Sequence, residues 1–382
     1  MRENYFPGAR ENWERKTPNE VGLDSNKIKE SVAFAKENED MSIPKENYPK
    51  HLEYRNRDKR CDDGIITGPT KQRGGVNGLI LRHGYIVAEW GDTYRTDMTH
   101  SVTKSYLSTC AGLALDRGLI RDVNDPVNLY VHDGNFDSPH NSKITWRHLL
   151  QQTNEWDGTI FDRHFSSDNP DDVIREPEEP GTFFEYNDTR VNLVALALLH
   201  VWRRPLPQVL KEYIMDPIGA SSTWRWHGYS NSWVDIDGLR MQSVAGGGHW
   251  GGGLFISSRD HARFGQLFLR KGRWNDKQLI SESWIDEATT PSDVNPVYGY
   301  MWWLNSDVDR HKAEYVAENY SKAYARQWRR RPGPGTPATS YGGSGGGGHR
   351  VWIDPENDIV IVTRWMKNVE DFIGMVVDAV KM

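Results

Sequence analysis

The chain has 382 residues, with 47 Lys+Arg against 53 Asp+Glu and a formal net charge of −6. That balance offers no global attraction to nucleic acid or to an anionic membrane, and no stretch approaches the ~18 consecutive apolar residues of a transmembrane helix. Cys61 lies in a polar stretch and Cys110 in an apolar one, which argues against a disulfide framework. Sixteen tryptophans and 35 glycines suit stacked loops around a cleft.

The opening residues, MRENYFPGARENWERK, are charged and lack the apolar core of a signal peptide. The expectation is a cytoplasmic protein, or a periplasmic or secreted one whose leader has been removed. The first ~70 residues are polar, with one helical candidate from Ser25 to Glu37. GVNGLILRHGYIVAEWG then predicts a hairpin turning at His83-Gly84.

From Ser101 the pattern becomes helical. Candidates are Ser101–Arg117 with Gly118 as its C-terminal stop, Trp146–Gln151, a run starting near Thr189, and Pro207–Ile214. Ser257 or Ser258 can cap a helix carrying Ala262, Phe264, Leu267 and Phe268. The stretch 311–340 is basic, then rich in Pro and Gly, and is expected to be a long loop. HRVWIDPENDIVIVTRW predicts a second hairpin turning at Asp354–Asp358, and Val369–Val380 a terminal amphipathic helix. Hairpins at both ends around a helical middle imply an α+β fold. One antiparallel sheet would be built from both termini (1–95 with 246–382), and 96–245 would form a mostly helical inserted lobe. The site is expected in the cleft between them.

In HSVTKSYLSTCAGLALDRG, Ser101 stands three residues before Lys104 at the start of an apolar run. Residues three apart share a helix face, so the amine can reach the hydroxyl. A buried, apolar helix would put Lys104 in a low-dielectric position, and the helix N-terminus would aim the Ser101 amide at a developing oxyanion. The competing reading is a plain N-cap serine.

Ser-x-x-Lys recurs by chance, and SIPK (Ser42 to Lys45) also matches. Pro44 and polar surroundings rule out a buried helix there. GGSGG (Gly342 to Gly346) is formally a nucleophile elbow. It precedes a hairpin rather than a helix, and only His349 follows it without an intervening carboxylate, so it is rejected. There is no His-Glu-x-x-His, and neither a metal nor another cofactor is expected. Among the lone histidines His164, His249 and His261, His249 next to Trp250 has the best claim on a cleft.

SVTK opening an apolar helix resembles the first motif of serine β-lactamases and penicillin-binding DD-peptidases, the class C branch in particular. DRGLIRDVNDPVNLYV, ITWRHLLQQTNEWDG, MDPIGASSTW and GGLFISSRDHARFGQLFL are similar to family segments in the same order, covering roughly residues 20 to 366. The family's Tyr-x-Asn motif has two candidates, Tyr229-Ser230-Asn231 and Tyr186-Asn187-Asp188. A preceding Pro-Gly turn, a following helix and the spacing from Ser101 favour Tyr186. There Asp188 replaces an amide donor with an acceptor. The third motif falls at Gly343-Ser344-Gly345 without its cation, which argues against β-lactams as natural substrates.

In this glycine-rich form the chain resembles 6-aminohexanoate-dimer hydrolases and related carboxylesterases. The resemblance implies Ser101 as nucleophile, with Lys104 and Tyr186 as the proton-transferring pair and either neutral or cationic Lys104. The Ser101 and Gly346 amides would form the oxyanion hole. Asp188, His249, Trp250, Ser344 and Gly345 would contact substrate. The implied activity is hydrolysis of a small ester, amide or peptide-like molecule through an acyl-enzyme. A DD-peptidase or β-lactamase, and a catalytically silent binding protein, stand as alternatives.

Overall fold

A computed structural model describes residues 4–57, 65–168, 175–247, 250–328 and 335–381; His249 and Cys61 lie outside them. Both predicted hairpins form and join in one six-stranded antiparallel sheet. Its order is Trp303–Leu304, Tyr341–Gly345, His349–Asp354, Ile359–Arg364, Asn77–Arg82, Tyr85–Trp90. The termini meet where Asn77 pairs with Arg364 and Arg82 with Ile359. His83 and Gly84 both have positive φ, the turn geometry whose twist matches paired strands.

Alternation sorts the strands into two faces. Ile80, Trp90, Trp352, Ile359 and Ile361 pack with residues of the first helix, Ser25–Glu37, and the last, Val369–Asp378. Leu79, Leu81, Val351, Val360 and Val362 join the larger core. The Ser258–Leu269 helix lies against this second face, close enough that a Cβ on Gly265 would stand 2.7 Å from Val360. Within the larger core, every residue from Thr103 to Ala114 of the Thr103–Asp116 helix is buried. Among the described residues no helix is long and apolar enough to cross a membrane.

Three segments differ from expectation. Arg225–Ile236 and Leu239–Val244 are strands of a second, four-stranded sheet, inside the stretch expected to be mostly helical. Their turn, Asp237-Gly238, has positive φ at both residues, and its Asp-Gly pair was the overlooked signal. The predicted 311–340 loop instead contains helices Arg310–Asn319 and Lys322–Ala325 and a turn at Arg326–Trp328. Val316, Tyr320, Tyr324 and Trp328, four residues apart, pack on Phe183 and Phe184, which outweighs the charged composition around them. In the polar N-terminal region a further helix, Tyr48–Arg57, brings Tyr48 and Leu52 against Met98, Phe255 and Trp365.

A buried ionic network anchors the segment before the Asp188–Trp202 helix. Arg190 Nη1 stands 3.0 Å from both Glu155 and Glu185, and Arg175 bridges the same two carboxylates at 2.5 and 2.8 Å. All four side chains are at least nine-tenths buried. Burial pushes the Glu155 carboxyl up, yet the two guanidiniums prevail and hold it below its ordinary value. Removing one cation from such a network leaves uncompensated buried charge. Arg190→Met is therefore expected to cost about 3–5 kcal/mol in denaturant unfolding at neutral pH. The loss should shrink toward pH 4 as Glu155, freed of one partner, takes up a proton.

Candidate active site

Ser101 lies in a single 3₁₀ turn, His100–Val102, that leads directly into the Thr103–Asp116 helix. It is not the N-cap: that position is Val102, without a side-chain cap bond. The Ser101 hydroxyl instead accepts a hydrogen bond from Lys104 Nζ at 3.1 Å. His100, just before it, holds φ at +50°, a conformation costly for a residue with a side chain. Its ring is fixed by a hydrogen bond to the Tyr48 hydroxyl and by edge contacts with Tyr48 and Trp365.

Lys104 is 1% exposed and forms an ion pair with Asp188 at the first turn of the Asp188–Trp202 helix. Its ammonium also stands 4.5 Å from the Tyr186 ring centre. Burial alone would lower the Lys104 pKa, but the Asp188 charge and Tyr186 reverse the balance and hold it above its ordinary value. Lys104 is thus a cation across the neutral range. A Cβ on Gly247 would meet Asp188 Oδ1 at 2.6 Å and Lys104 Nζ at 2.8 Å, so a side chain there would displace one partner of the pair.

Tyr186 is set by its neighbours on both sides in sequence. Asn187 donates its amide to Gln152 Oε1 at 2.9 Å, and its side chain caps the helix by accepting from Arg190 N at 3.0 Å. Gln152 in turn donates to the Tyr298 hydroxyl at 2.7 Å. The Tyr186 amide donates to Gln327 Oε1 at 2.8 Å, and its ring lies near-parallel to Trp303 with centres 5.4 Å apart.

The strand Tyr341–Gly345 runs against the Ser101 turn. A Cβ on Gly345 would fall 2.6 Å from Thr99 O and 3.2 Å from Ser101 N, so glycine is required for this approach. Gly346 follows at the strand's end. An open cleft of about 350 Å³ is bordered by Ser101, Tyr186, Trp303, Ser344, Gly345 and Gly346. Arg350 and Glu370, ion-paired at 2.7 Å, border it too.

The structure therefore brings Ser101, Lys104, Tyr186, Ser344, Gly345 and Gly346 together. Asp188, expected to meet substrate, turns to Lys104 and is not among the cleft's described lining. Trp250 is a correction: it is 1% exposed and packs on Tyr229, with the Arg163 guanidinium over its ring, because it closes a small separate core. His261 is buried against the Tyr106 hydroxyl, and His164 leans on Phe165.

The decoys separate by geometry. Ser42 bonds to Asp40 while Lys45 pairs with Glu39; the Tyr229 hydroxyl is engaged by Asn192. Ser344 sits mid-strand opposite Arg350, not at an elbow. Sequence reasoning missed Gln152, Tyr48 and Arg350. The last was findable, since counting back through the hairpin turn puts it across from Ser344.

The architecture matches solved structures at low identity. A β-lactamase from Mycobacterium bovis aligns with TM-score 0.54 and 18% identity over 80% of this chain and 95% of that one. A Bacillus anthracis protein assigned as a 6-aminohexanoate-dimer hydrolase aligns with TM-score 0.53 and 16% identity, covering 79% and 78%. EstCE1, a hydrolase with promiscuous acyltransferase activity, aligns with TM-score 0.54 and 14% identity over 93% and 100%. An uncharacterized protein of Alkalihalophilus pseudofirmus is 23% identical over 280 residues, 63% of this chain and 73% of that protein. With residues 63–372 matching the family model named Beta-lactamase, the chain belongs to the beta-lactamase family of hydrolase folds.

Proposed function

We propose that the protein is a serine hydrolase that cleaves small esters or linear amides through a covalent acyl-enzyme on Ser101. The observation that carries this reading is the Lys104 ammonium, buried and 3.1 Å from the Ser101 hydroxyl at the edge of an open cleft. Ser101 Oγ attacks the substrate carbonyl and its proton passes to Tyr186, which in this proposal acts as the phenolate beside the Lys104 ammonium. Lys104, kept charged by Asp188, is not the acceptor; it orients the hydroxyl and stabilises negative charge on its neighbours. The Ser101 and Gly346 amides receive the oxyanion. As the tetrahedral intermediate collapses, Tyr186 returns the proton to the departing alkoxide or amine. Tyr186 then takes a proton from water, which attacks the ester carbonyl; collapse releases the acid and the proton returns to Ser101.

Arg350 bears on the choice of substrate. A free guanidinium opposite Ser344 would suit a substrate carboxylate and favour a β-lactamase or DD-peptidase. Here Glu370 already occupies it at 2.7 Å, which favours uncharged acyl groups.

Ser101→Ala is expected to abolish labelling by a fluorophosphonate probe and turnover of short p-nitrophenyl esters. Labelling that survives in Ser101→Ala but disappears in Ser344→Ala would refute the assignment. In Asp188→Asn, burial would lower the Lys104 pKa with only Tyr186 left to oppose it, so the alkaline limb of kcat/KM should move at least about one unit toward acid. An unchanged limb would exclude the cationic role. Glu370→Gln should lower KM for a carboxylate-bearing ester several-fold relative to its methyl ester. Nitrocefin turnover should stay far below ester turnover in the parent enzyme.

A further inference from the structure

A second cavity, of about 430 Å³, shares no described lining residue with the catalytic cleft. It is bounded by Arg10 from the N-terminal segment, by Gln208 and Lys211 from the helical turns, and by Trp224, Arg225 and Trp226. Its size lies within the range of small-molecule pockets, ~300–1,000 Å³. Trp224 and Trp226 are 7% and 5% exposed, and the Trp226 indole N–H is already spent on Ala245 O at 3.0 Å. Trp226 thus offers the pocket apolar surface rather than an unmet donor.

The rim is cationic. Lys211 is paired with Asp216, but among the described residues no carboxylate pairs with Arg10 or Arg225. Arg225 uses Nη1 on the Ser222 and Trp224 carbonyls, at 2.7 Å each, which orients the guanidinium at the mouth. Arg10 is held at φ +54°, its amide bonded to Gly219 O at 2.7 Å and its carbonyl accepting from Arg263 at 2.5 Å. A left-handed arginine is strained and persists only where its surroundings impose it. The adjoining turn, Lys211–Met215, is a π-helix, a rare geometry frequent at binding sites.

Two indoles and two guanidiniums without a carboxylate partner line this one cavity and match one ligand chemistry: an aromatic or aliphatic body ending in a single anion. We propose that this cavity is a second ligand site, separate from the catalytic cleft, for a medium-sized amphipathic carboxylate.

The test uses the intact protein with anilinonaphthalene sulfonate as probe. Saturable binding with energy transfer from tryptophan is expected, displaced by decanoate and not by decanol. Capping Ser101 with a fluorophosphonate should leave the affinity unchanged. The double substitution Arg10→Gln with Arg225→Gln should weaken binding about tenfold or more while ester turnover, which reports the fold, is retained. Loss of binding on capping Ser101 would place the dye in the cleft and overturn the proposal. So would undiminished affinity in the double variant, displacement by decanol equal to that by decanoate, or no saturable binding.

Discussion

A full positive charge at 1% exposure in the first turn of an apolar helix is the constraint from which most of this site follows. Desolvating an ammonium costs several kcal/mol, and only a close anion offsets it. Asp188 is that anion, so the first turn of the Asp188–Trp202 helix must dock beside Lys104. Docking that turn carries Tyr186, two residues earlier in sequence, over the ammonium. The same pair sits so close to Gly247 that a side chain there would push it apart. One buried charge thereby ties two helices and a glycine-rich loop into a single geometry.

The second support comes from outside the central helices. Tyr186 rests on Trp303, whose strand pairs with the glycine strand at Trp303 and Gly342. Its amide is held by Gln327, from the segment that packs aromatic rings on Phe183 and Phe184. The ionic network of Glu155, Arg175, Glu185 and Arg190 grips the same short stretch from the opposite end. Such over-determination suits the proton-carrying role proposed for Tyr186, which would have to meet both a hydroxyl and a leaving group without drifting.

The parts of this arrangement that were legible in sequence are those with strong local patterns. Two alternating hairpins announced the sheet, and the apolar run after Lys104 announced a buried helix. Tyr186 was separable from Tyr229 only by its flanking turn and helix together with the family's order of motifs. What could not be read was the partner of Lys104. Asp188 is distant in sequence, and a carboxylate at a helix start reads equally well as a solvated first-turn acid. Trp250 was misjudged because glycine neighbours suggest a cleft, whereas its ring closes a small core with Tyr229 and Ala245. The helices of 310–328 were hidden because composition was weighed there and the four-residue apolar spacing was not.

Tyr48 gives the N-terminal excursion a meaning its polar composition conceals. The left-handed backbone at His100 is stabilised from behind by a hydroxyl carried on the helix Tyr48–Arg57, outside the main sheet. The shape of the turn presenting Ser101 is therefore partly held from a peripheral piece of chain. Under the proposed mechanism, changes on that helix would act on Ser101 from its far side, without touching substrate. A minimal version of this fold trimmed to its sheet and central helices would keep the cleft and lose the brace behind it.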